Sequence, residues 1–227
     1  MAHPLHLWIT IPVKPLAEGK SRLASAVADE ERQRLTRHFL QRTLQIVLSP
    51  EWQADNLAGV LAGVIVVSRD REILALAEEA GALALAEQTN RVVDVTDREW
   101  GLNRAVGQAA AYAQQRGGHA LLFLPTDLPL LQAEDIRGLV AVWGERKNCL
   151  VIASSQTGGT NALLLAPPDA IAPAFGVDSF ARHTRLARLA GLAVEVVESP
   201  NLAWDVDTPE EYHILGRRAG FLPALRS

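Results

Sequence analysis

The stretch that decides the fold is HALLFLPTDLPLL, residues 119–131. Its first part, HALLFLP over 119–125, is typical of a buried β-strand, and it leads to a single acidic residue, Asp127, between two prolines. Asp is a poor strand former, and an unpaired buried carboxylate is costly. A residue in this position therefore caps a helix, begins a turn or binds something.

Six further runs resemble this strand. They are LWITIPV (7–13), VIVVS (64–68), ALALAE (82–87), LVIAS (150–154), ALLLA (162–166) and AVEVVE (193–198). Most of them lack a strict alternation of apolar and polar residues, which is expected for strands that are covered on both faces.

Segments with the apolar spacing of amphipathic helices lie between these strands. They are SRDREILALAEEAG (68–81), GLNRAVGQAAAYAQQRG (101–117) and QAEDIRGLVAVW (132–143). Ser68 is predicted to be the N-cap of the first helix, and Gly81 and Gly117 are predicted to follow helix ends. The alternation predicts an α/β protein with a mostly parallel open sheet flanked by helices. Since no repeat or linker is visible, one domain over 1–227 is expected.

Composition excludes several classes of protein. The chain has 227 residues, of which 48% are hydrophobic, and a net charge of −4, which is too mild to indicate a nucleic-acid or membrane surface. Its one cysteine, Cys149, excludes an internal disulfide and is predicted to be an inert buried thiol. No secretory signal is visible, and no apolar run approaches the roughly 20 residues of a spanning helix. A cytoplasmic protein is expected.

Ligands of such sheets bind beyond the carboxyl ends of the strands, where Asp127 falls. The loop after the first strand, PVKPLAEGKSRL (12–23), carries Lys14, Lys20 and Arg22. It is not a P-loop, because that motif needs glycine at position 14. The three cations form either a solvated basic turn or a clamp for a polyphosphate.

Two carboxylates stand near the C-terminus in AWDVDTPEEY, residues 203–212. On an extended strand Asp205 and Asp207 point the same way. Asp207 or Thr208 is predicted to cap a helix that starts at Pro209, but capping does not account for Asp205. Hard oxygen ligands from two strand ends suit Mg²⁺.

A third candidate site lies between residues 158 and 183. Gly158 to Asn161 is expected to offer unencumbered backbone N–H groups, and Asp178 or Ser179 is the predicted N-cap of a helix. A glycine before a helix N-terminus, with Arg182 and His183 one turn on, indicates either an anion site or an ordinary capped helix. No histidine spacing suggests a metal, and no convincing Ser/His/Asp arrangement is present.

Six of these motifs occur in a fixed order: PVKPLAEGKSRL, GLNRAV, LPTDLPLL, GGTNALLL, FGVDSFARH and DVDTPEEY. Together they resemble the phospholactate/phosphoenolpyruvate guanylyltransferase family of coenzyme F-420 biosynthesis, from about Leu7 to Tyr212. The resemblance implies a Rossmann-like nucleotidyltransferase fold. It also implies transfer of GMP from GTP to the phosphate of phosphoenolpyruvate, 2-phospho-L-lactate or 3-phosphoglycerate, with release of pyrophosphate. Thr126 is a departure, because relatives often carry Gly or Ala there.

The resemblance also implies roles for individual residues. Lys20 and Asp127 would be catalytic, and the metal ligands for Mg²⁺ would be Asp127, Asp205 and Asp207. The expected nucleotide-binding residues are Lys14, Lys20, Arg22 and Asn103, and the expected phosphoacid-binding residues are Thr160, Gly176 and Ser179. The expected partners are GTP and a small phosphoacid, not nucleic acid or a membrane. The downstream transferase of the pathway and a second copy of the chain are further candidates, and the tryptophans Trp8, Trp52, Trp100, Trp143 and Trp204 include candidates for a contact surface.

Two other interpretations stay open. One is a nucleotidyltransferase of another specificity, such as cytidylyl transfer to a sugar acid or guanylyl transfer to molybdopterin. The other is a non-catalytic nucleotide-binding subunit, which would bind GTP and release no pyrophosphate. The choice of guanine and of the three-carbon acceptor is not determined by the residue patterns.

Overall fold

A seven-stranded sheet forms the centre of the computed structural model, which describes residues 6–53, 57–88, 98–144 and 146–217. Its strands are β1 (Leu7–Pro12), β2 (Leu61–Ser68), β3 (Leu83–Ala86), β4 (Ala120–Phe123), β5 (Cys149–Ser154), β6 (Thr160–Ala166) and β7 (Ala193–Val196). All seven predicted strands are confirmed, with small differences at their ends.

The strands follow the order β3-β2-β1-β4-β6-β5-β7 across the sheet. β6 runs antiparallel to β4 and β5, and the other neighbours are parallel, so the prediction of a mostly parallel sheet is confirmed. The chain builds outward from β1 to β3 and then returns to the other side of β1 to form β4. Such a reversal of strand order is where α/β sheets bind their ligands.

Seven α-helices accompany the sheet in the described residues: α1 (Asp29–Leu48), α2 (Arg71–Glu79), α3 (Arg98–Gln115), α4 (Ala133–Trp143), α5 (Ser179–Leu189), α6 (Pro200–Ala203) and α7 (Pro209–Arg217). The 20-residue helix α1 is not among the predicted helices. Leu40, Leu44 and Val47 are buried on one side of it at helical spacing, and this signal could have found it.

Two predicted helix ends are confirmed and one predicted start is wrong. Gly81 and Gly117 follow the ends of α2 and α3 with positive φ values of 87° and 72°. Ser68 is not the N-cap of α2, which begins at Arg71. The cap is Asp70, whose side chain accepts a hydrogen bond of 2.9 Å from the Glu72 N–H.

Both faces of the sheet are covered, which is why the strand sequences read as nearly continuous apolar runs. In β2, Val64 and Val66 belong to the core beneath α1, α2 and α4, whereas Ile65 and Val67 belong to the core beneath α3 and α5. Cys149 is buried, as predicted. None of the helices that the structure describes is both long and apolar enough to cross a membrane.

A third, smaller core lies beside the sheet edge that carries the loops after β1 and β4. It consists of Leu23, Val27, Leu35, Phe39, Trp204, Val206, Tyr212 and Leu215. Leu23 is the last residue of the basic loop (12–23) and Val206 separates Asp205 from Asp207, and both side chains are fully buried here. This packing brings two segments that are distant in sequence next to each other.

Three of the five tryptophans that the sequence offered as candidates for a contact surface are buried. Trp52 and Trp143 are 0% and 1% exposed, and Trp204 is 9% exposed, so these three side chains belong to the cores. Trp8 is half-buried against Tyr112, and the side chain of Trp100 lies outside the described residues.

Candidate active site

The loop after β1 is held in an irregular shape by two side chains from other elements. Asp70, at the end of β2, accepts a hydrogen bond of 2.9 Å from the Leu16 N–H, and Arg32 of α1 donates one of 3.1 Å to the Gly19 carbonyl. Lys20 adopts the left-handed conformation, with φ 50° and ψ 33°. That conformation is uncommon for a residue with a side chain, so the surrounding contacts have to maintain it.

The ammonium group of Lys20 lies in the middle of the acidic residues. Its Nζ donates to Asp127 Oδ2 at 2.8 Å, to Asp207 Oδ1 at 3.2 Å and to the Val206 carbonyl at 2.7 Å. The side chain is only 8% exposed. Burial alone would lower the pKa of Lys20, but Asp127 and Asp207 outweigh it and the pKa is raised. The lysine is therefore a fixed positive charge between two carboxylates.

The backbone around these carboxylates is fixed independently of Lys20. The Val206 N–H donates to the Asp127 carbonyl at 3.1 Å, which ties the segment after β4 to the segment before α7. Thr208 caps α7 by accepting from the Glu211 N–H at 3.3 Å, and Glu211 accepts from the N–H groups of Asp207 and Thr208. Because Thr208 supplies the cap, the Asp207 carboxylate faces the cations instead.

All three predicted cations act on Asp207. Arg22 contacts its Oδ2 at 3.2 Å, and Lys14 acts on it electrostatically. Burial would raise the pKa of Asp207, but Lys20, Arg22 and Lys14 together lower it. The basic loop and the carboxylates thus form one charged site.

Asp205 has a different environment. Burial and the negative charges of Asp127 and Asp207 raise its pKa to about 6, against a hydrogen bond from Asn161 Nδ2 at 3.2 Å that lowers it. Asn161 also donates to the Leu202 carbonyl at 2.8 Å, so its amide orients the carboxylate. Within the described residues, the charged groups that shift the pKa of Asp205 are all carboxylates.

These carboxylates are suitable donors for a divalent ion. Three hard oxygen groups around a substrate phosphate are the ligands that Mg²⁺ prefers. Mutual repulsion at Asp205 further favours a cation at this place. In the described part of the chain no three acidic, histidine or cysteine side chains are already grouped as a metal site, and Lys20 stands where Asp127 and Asp207 converge.

The predicted phosphoacid residues come together at the start of β6. Ser179, the first residue of α5, donates to Thr160 Oγ1 at 3.0 Å, and His183 Nδ1 lies 3.1 Å from the same oxygen. Gly176 has a φ of 128°, a value that residues with a side chain rarely adopt. The structure therefore places Thr160 and Ser179 in one hydrogen-bonded pair with Gly176 in the loop beside them.

The protonation of His183 follows from its partners. The Ala174 N–H donates to Nε2 at 2.9 Å, so Nε2 is an acceptor and the ring proton is on Nδ1. Burial and nearby Arg182 lower the pKa of His183 to about 4, although a hydrogen bond to the Ser179 backbone opposes them. The imidazole is neutral near neutral pH.

The expectation of unencumbered amides at Gly158 and Gly159 is wrong. The Gly158 N–H donates to the Ser155 carbonyl at 3.3 Å, and the Gly159 N–H donates to Ser155 Oγ at 2.8 Å. These groups close the turn between β5 and β6 and do not face a ligand. Asp178 is the N-cap of α5, with φ 53°, but its side chain makes no capping hydrogen bond.

Asn103 is engaged with the loop that leads to Gly176. Its Nδ2 donates to the Phe175 carbonyl at 3.2 Å and its Oδ1 accepts from the Phe175 N–H at 2.7 Å. Both ends of the amide are thereby bonded to the backbone of one residue, Phe175. A contact between Asn103 and a nucleotide stays a prediction.

Comparison with known proteins identifies relatives along most of the chain. A family model described as guanylyl transferase CofC like matches residues 7–216. A phosphoenolpyruvate guanylyltransferase of Rubrobacter xylanophilus is 36% identical over 207 residues, covering 91% of this chain and 92% of the relative. A 3-phospho-D-glycerate guanylyltransferase of Phenylobacterium zucineum is 35% identical over 199 residues, covering 85% of this chain and 82% of the relative.

A 2-phospho-L-lactate guanylyltransferase of Methanobrevibacter ruminantium is 30% identical over 209 residues, covering 90% of this chain and 82% of the relative. Among solved structures, a protein of Desulfovibrio desulfuricans G20 described as a nucleotide-diphospho-sugar transferase superposes with a TM-score of 0.70. It is 19% identical and covers 97% of this chain and 94% of its own, and it supports the Rossmann-like nucleotidyltransferase fold. By the extent of the family match and of these relatives, the chain belongs to the CofC-like guanylyl transferase family.

Proposed function

We propose that this protein transfers GMP from GTP to the phosphate of a three-carbon phosphoacid and releases pyrophosphate, as a step of coenzyme F-420 biosynthesis. The observation that carries the proposal is the buried Lys20 ammonium, bonded to Asp127 and Asp207 at the point where the strand order reverses. Here cations and carboxylates from three distant segments meet at the edge where such sheets bind nucleotides. The names of the relatives supply the nucleotide and the acceptor class.

The reaction joins two anions, so its main requirement is electrostatic. A phosphate monoester has a second pKa near 6 and is largely dianionic at neutral pH, so it needs no general base. One of its oxygens attacks the α-phosphorus of GTP, and the bond from that phosphorus to the oxygen bridging to the β-phosphorus breaks. Pyrophosphate leaves with the bonding electron pair, and Lys14, Lys20 and Arg22 neutralise its growing charge.

We propose Mg²⁺ as the cofactor, held by Asp127, Asp205 and Asp207. When bound, it would supply Lewis-acid charge neutralisation between the two phosphates. Asn161 orients Asp205 for this role through its 3.2 Å hydrogen bond, and Thr208 leaves the Asp207 carboxylate available by capping α7 itself. Lys20 would exchange one of its three hydrogen bonds, to Asp127, Asp207 and the Val206 carbonyl, for a phosphate oxygen.

The acceptor would bind at Thr160, Gly176 and Ser179, on the other side of β4 from the basic loop. Relatives are named for three different acceptors at 30–36% identity, so phosphoenolpyruvate, 2-phospho-L-lactate and 3-phosphoglycerate are all included. GTP would be available in the cytoplasm, which is the location that we propose. A homodimer and a contact with the downstream transferase of the pathway stay predictions.

Release of pyrophosphate from GTP tests the function. The purified protein with Mg²⁺ is given GTP and each of the three phosphoacids in turn, and CTP replaces GTP in parallel reactions. We expect release with GTP and at least one acceptor, and a loss of more than about 100-fold in the Asp127→Asn variant. Asp169→Asn, at an exposed position away from the site, is the matched control and should keep normal rates.

Three outcomes would contradict the proposal. Transfer with CTP in place of GTP would indicate a cytidylyltransferase. Binding of GTP without pyrophosphate release for any acceptor would indicate a nucleotide-binding subunit. Normal rates in Asp127→Asn would show that the metal assignment is wrong.

A further inference from the structure

Two side chains hold successive backbone amides in the loop of residues 174–179, which we name the acceptor loop. The Ala174 N–H donates to His183 Nε2 at 2.9 Å, and the Phe175 N–H donates to Asn103 Oδ1 at 2.7 Å. Asn103 belongs to α3 and lies 72 positions before Phe175 in the chain, and His183 belongs to α5. The loop is therefore fixed from two different helices.

The conformation of the acceptor loop needs such support. Gly176 and Asp178 both have positive φ values, 128° and 53°, and the loop belongs to neither a strand nor a helix until Ser179. Left-handed backbone at a residue with a side chain persists only where neighbouring contacts maintain it. Phe175 anchors the loop on the apolar side, with its ring 4.4 Å from that of Phe123 and 4.7 Å from that of His183.

The same contacts determine the donor and acceptor roles of the Thr160 hydroxyl. Because Nε2 of His183 accepts from Ala174, Nδ1 carries the ring proton, and Nδ1 lies 3.1 Å from Thr160 Oγ1. Ser179 Oγ also donates to Thr160 Oγ1, at 3.0 Å. The Thr160 oxygen therefore accepts two hydrogen bonds, and its own O–H is left to donate to a third group. An anionic oxygen within reach of this hydroxyl would accept that hydrogen bond.

We infer that Asn103 and His183 are positioning residues for the phosphoacid, and that Asn103 acts on the acceptor rather than on the nucleotide. Asn103 holds the peptide groups on both sides of Phe175, and His183 holds the peptide before Ala174 and polarises the Thr160–Ser179 pair. This inference rests on the proposed function, since it specifies how the acceptor side of that site is organised. Neither residue touches the reacting atoms.

Steady-state kinetics of Asn103→Asp and Asn103→Leu distinguish a role of Asn103 in positioning the phosphoacid from a role in binding the nucleotide. The Asp variant keeps the size of the side chain but loses the donor to the Phe175 carbonyl, and the Leu variant loses both hydrogen bonds. We expect the KM for the phosphoacid to rise about tenfold, while the KM for GTP and the kcat at saturating phosphoacid change less than about twofold. A rise in the KM for GTP with an unchanged phosphoacid KM would overturn the inference.

A measurement without turnover distinguishes failure of this inference from failure of the proposed function. Hydrogen exchange of the Phe175 amide, followed by NMR, should be about tenfold faster in Asn103→Leu than in the wild type, because its acceptor is gone. Gln114→Leu is the control, since Gln114 is exposed on the same helix. The affinity for phosphoenolpyruvate alone, measured by titration through the Thr160 and Ser179 amides, should be weakened in the Asn103 variants and unchanged in Gln114→Leu. Unchanged exchange or unchanged phosphoenolpyruvate affinity would overturn the inference even if no transfer occurs.

Two variants of His183 test whether its hydrogen bond to the Ala174 N–H positions the phosphoacid. In His183→Gln the side-chain amide oxygen can still accept from the Ala174 N–H, whereas in His183→Leu nothing can. We expect the Gln variant to retain more phosphoacid affinity than the Leu variant, by about fivefold. Equal phosphoacid KM values in the two variants would show that the hydrogen bond to Ala174 does not position the acceptor.

Discussion

Lys20 and Asp127 lie 107 positions apart in the chain, and a 2.8 Å ion pair joins Nζ of the first to Oδ2 of the second. The contact connects the loop after β1 with the loop after β4, the two central strands at which the order of the sheet reverses. A single ammonium group thus links the basic loop with the carboxylates before a substrate enters.

Replacing Lys20 by Met should leave two facing carboxylates without their shared cation. We expect a loss of about 3 kcal/mol in the free energy of unfolding near neutral pH, measured by urea denaturation without divalent ions. Added Mg²⁺ should restore more stability to this variant than to the wild type, because the carboxylates would then have another cation. Lys147→Met, at an exposed lysine, should behave like the wild type. Equal responses of Lys20→Met and the wild type to Mg²⁺ would contradict the assignment of the metal ligands.

Asp205→Asn should stabilise the protein while it removes activity. The pKa of Asp205 is raised to about 6 from 3.8, so the folded state holds its proton more tightly than the unfolded state. Stability is therefore lost as pH rises from 3.8 to about 6, and the loss at neutral pH is about 2 kcal/mol after allowance for partial exposure.

The Asn variant avoids this loss and can still accept the hydrogen bond from Asn161. Urea denaturation across pH should show the variant more stable above about pH 6 and equal to the wild type below pH 3.8. A variant that is less stable than the wild type at neutral pH would show that the burial of Asp205 is not a cost in the metal-free protein.

His183 should make the protein sensitive to mild acid. Its pKa falls from 6.5 to about 4 on folding, so between these values the unfolded state binds a proton that the folded state does not. Stability is therefore present above pH 6.5 and declines as pH falls to about 4, by about 3 kcal/mol.

Comparison with His183→Gln isolates this effect, because the Gln variant has no titrating ring. The stability advantage of the wild type should shrink as pH falls from 6.5 to about 4. His213→Gln, at an exposed histidine of α7, should show no such change relative to the wild type. A constant difference between wild type and His183→Gln over this range would mean that the imidazole is not neutral in the folded state.

Arg22 should matter for the nucleotide and little for the fold. Its side chain is 69% exposed, and exposed ion pairs contribute about 0.5 kcal/mol or less. We expect Arg22→Ala to leave the urea midpoint nearly unchanged and to raise the KM for GTP about tenfold, because one triphosphate contact is lost. Arg34→Ala, at an exposed arginine of α1, is the control. An unchanged KM for GTP would place Arg22 outside the nucleotide site.

Much of the fold follows from local sequence signals. Each strand is a short apolar run, and the carboxyl-end rule places Asp127 and the basic loop at one edge of the sheet. Two features differ from the prediction. Helix α1 is absent from the predicted helices although its buried positions have helical spacing, and the N-cap of α2 is Asp70 rather than Ser68, since both polar residues precede the helix and only the side chain of Asp70 bonds its first turn.

The site could be predicted as a set of residues but not as a set of contacts. Charge type and position after strands were enough to select Lys20, Asp127 and Asp207. Their bonding to one another depends on the small core that buries Leu23 beside Val206, which is a tertiary event. The pairing of Asn103 with the Phe175 backbone has no local signature at all, because the two residues meet only after α3 and the acceptor loop have packed.

The reversed direction of β6 has a consequence for acceptor choice. Because β6 runs against β4, its first residue, Thr160, reaches the same rim as the last residues of β4, and a tight hairpin from β5 delivers it there. The hairpin between β5 and β6 therefore reaches this rim without sharing a segment with the loop after β1. If the proposed assignment of Thr160 to the phosphoacid is correct, substitutions in that hairpin would change acceptor choice and leave the loop after β1 in place.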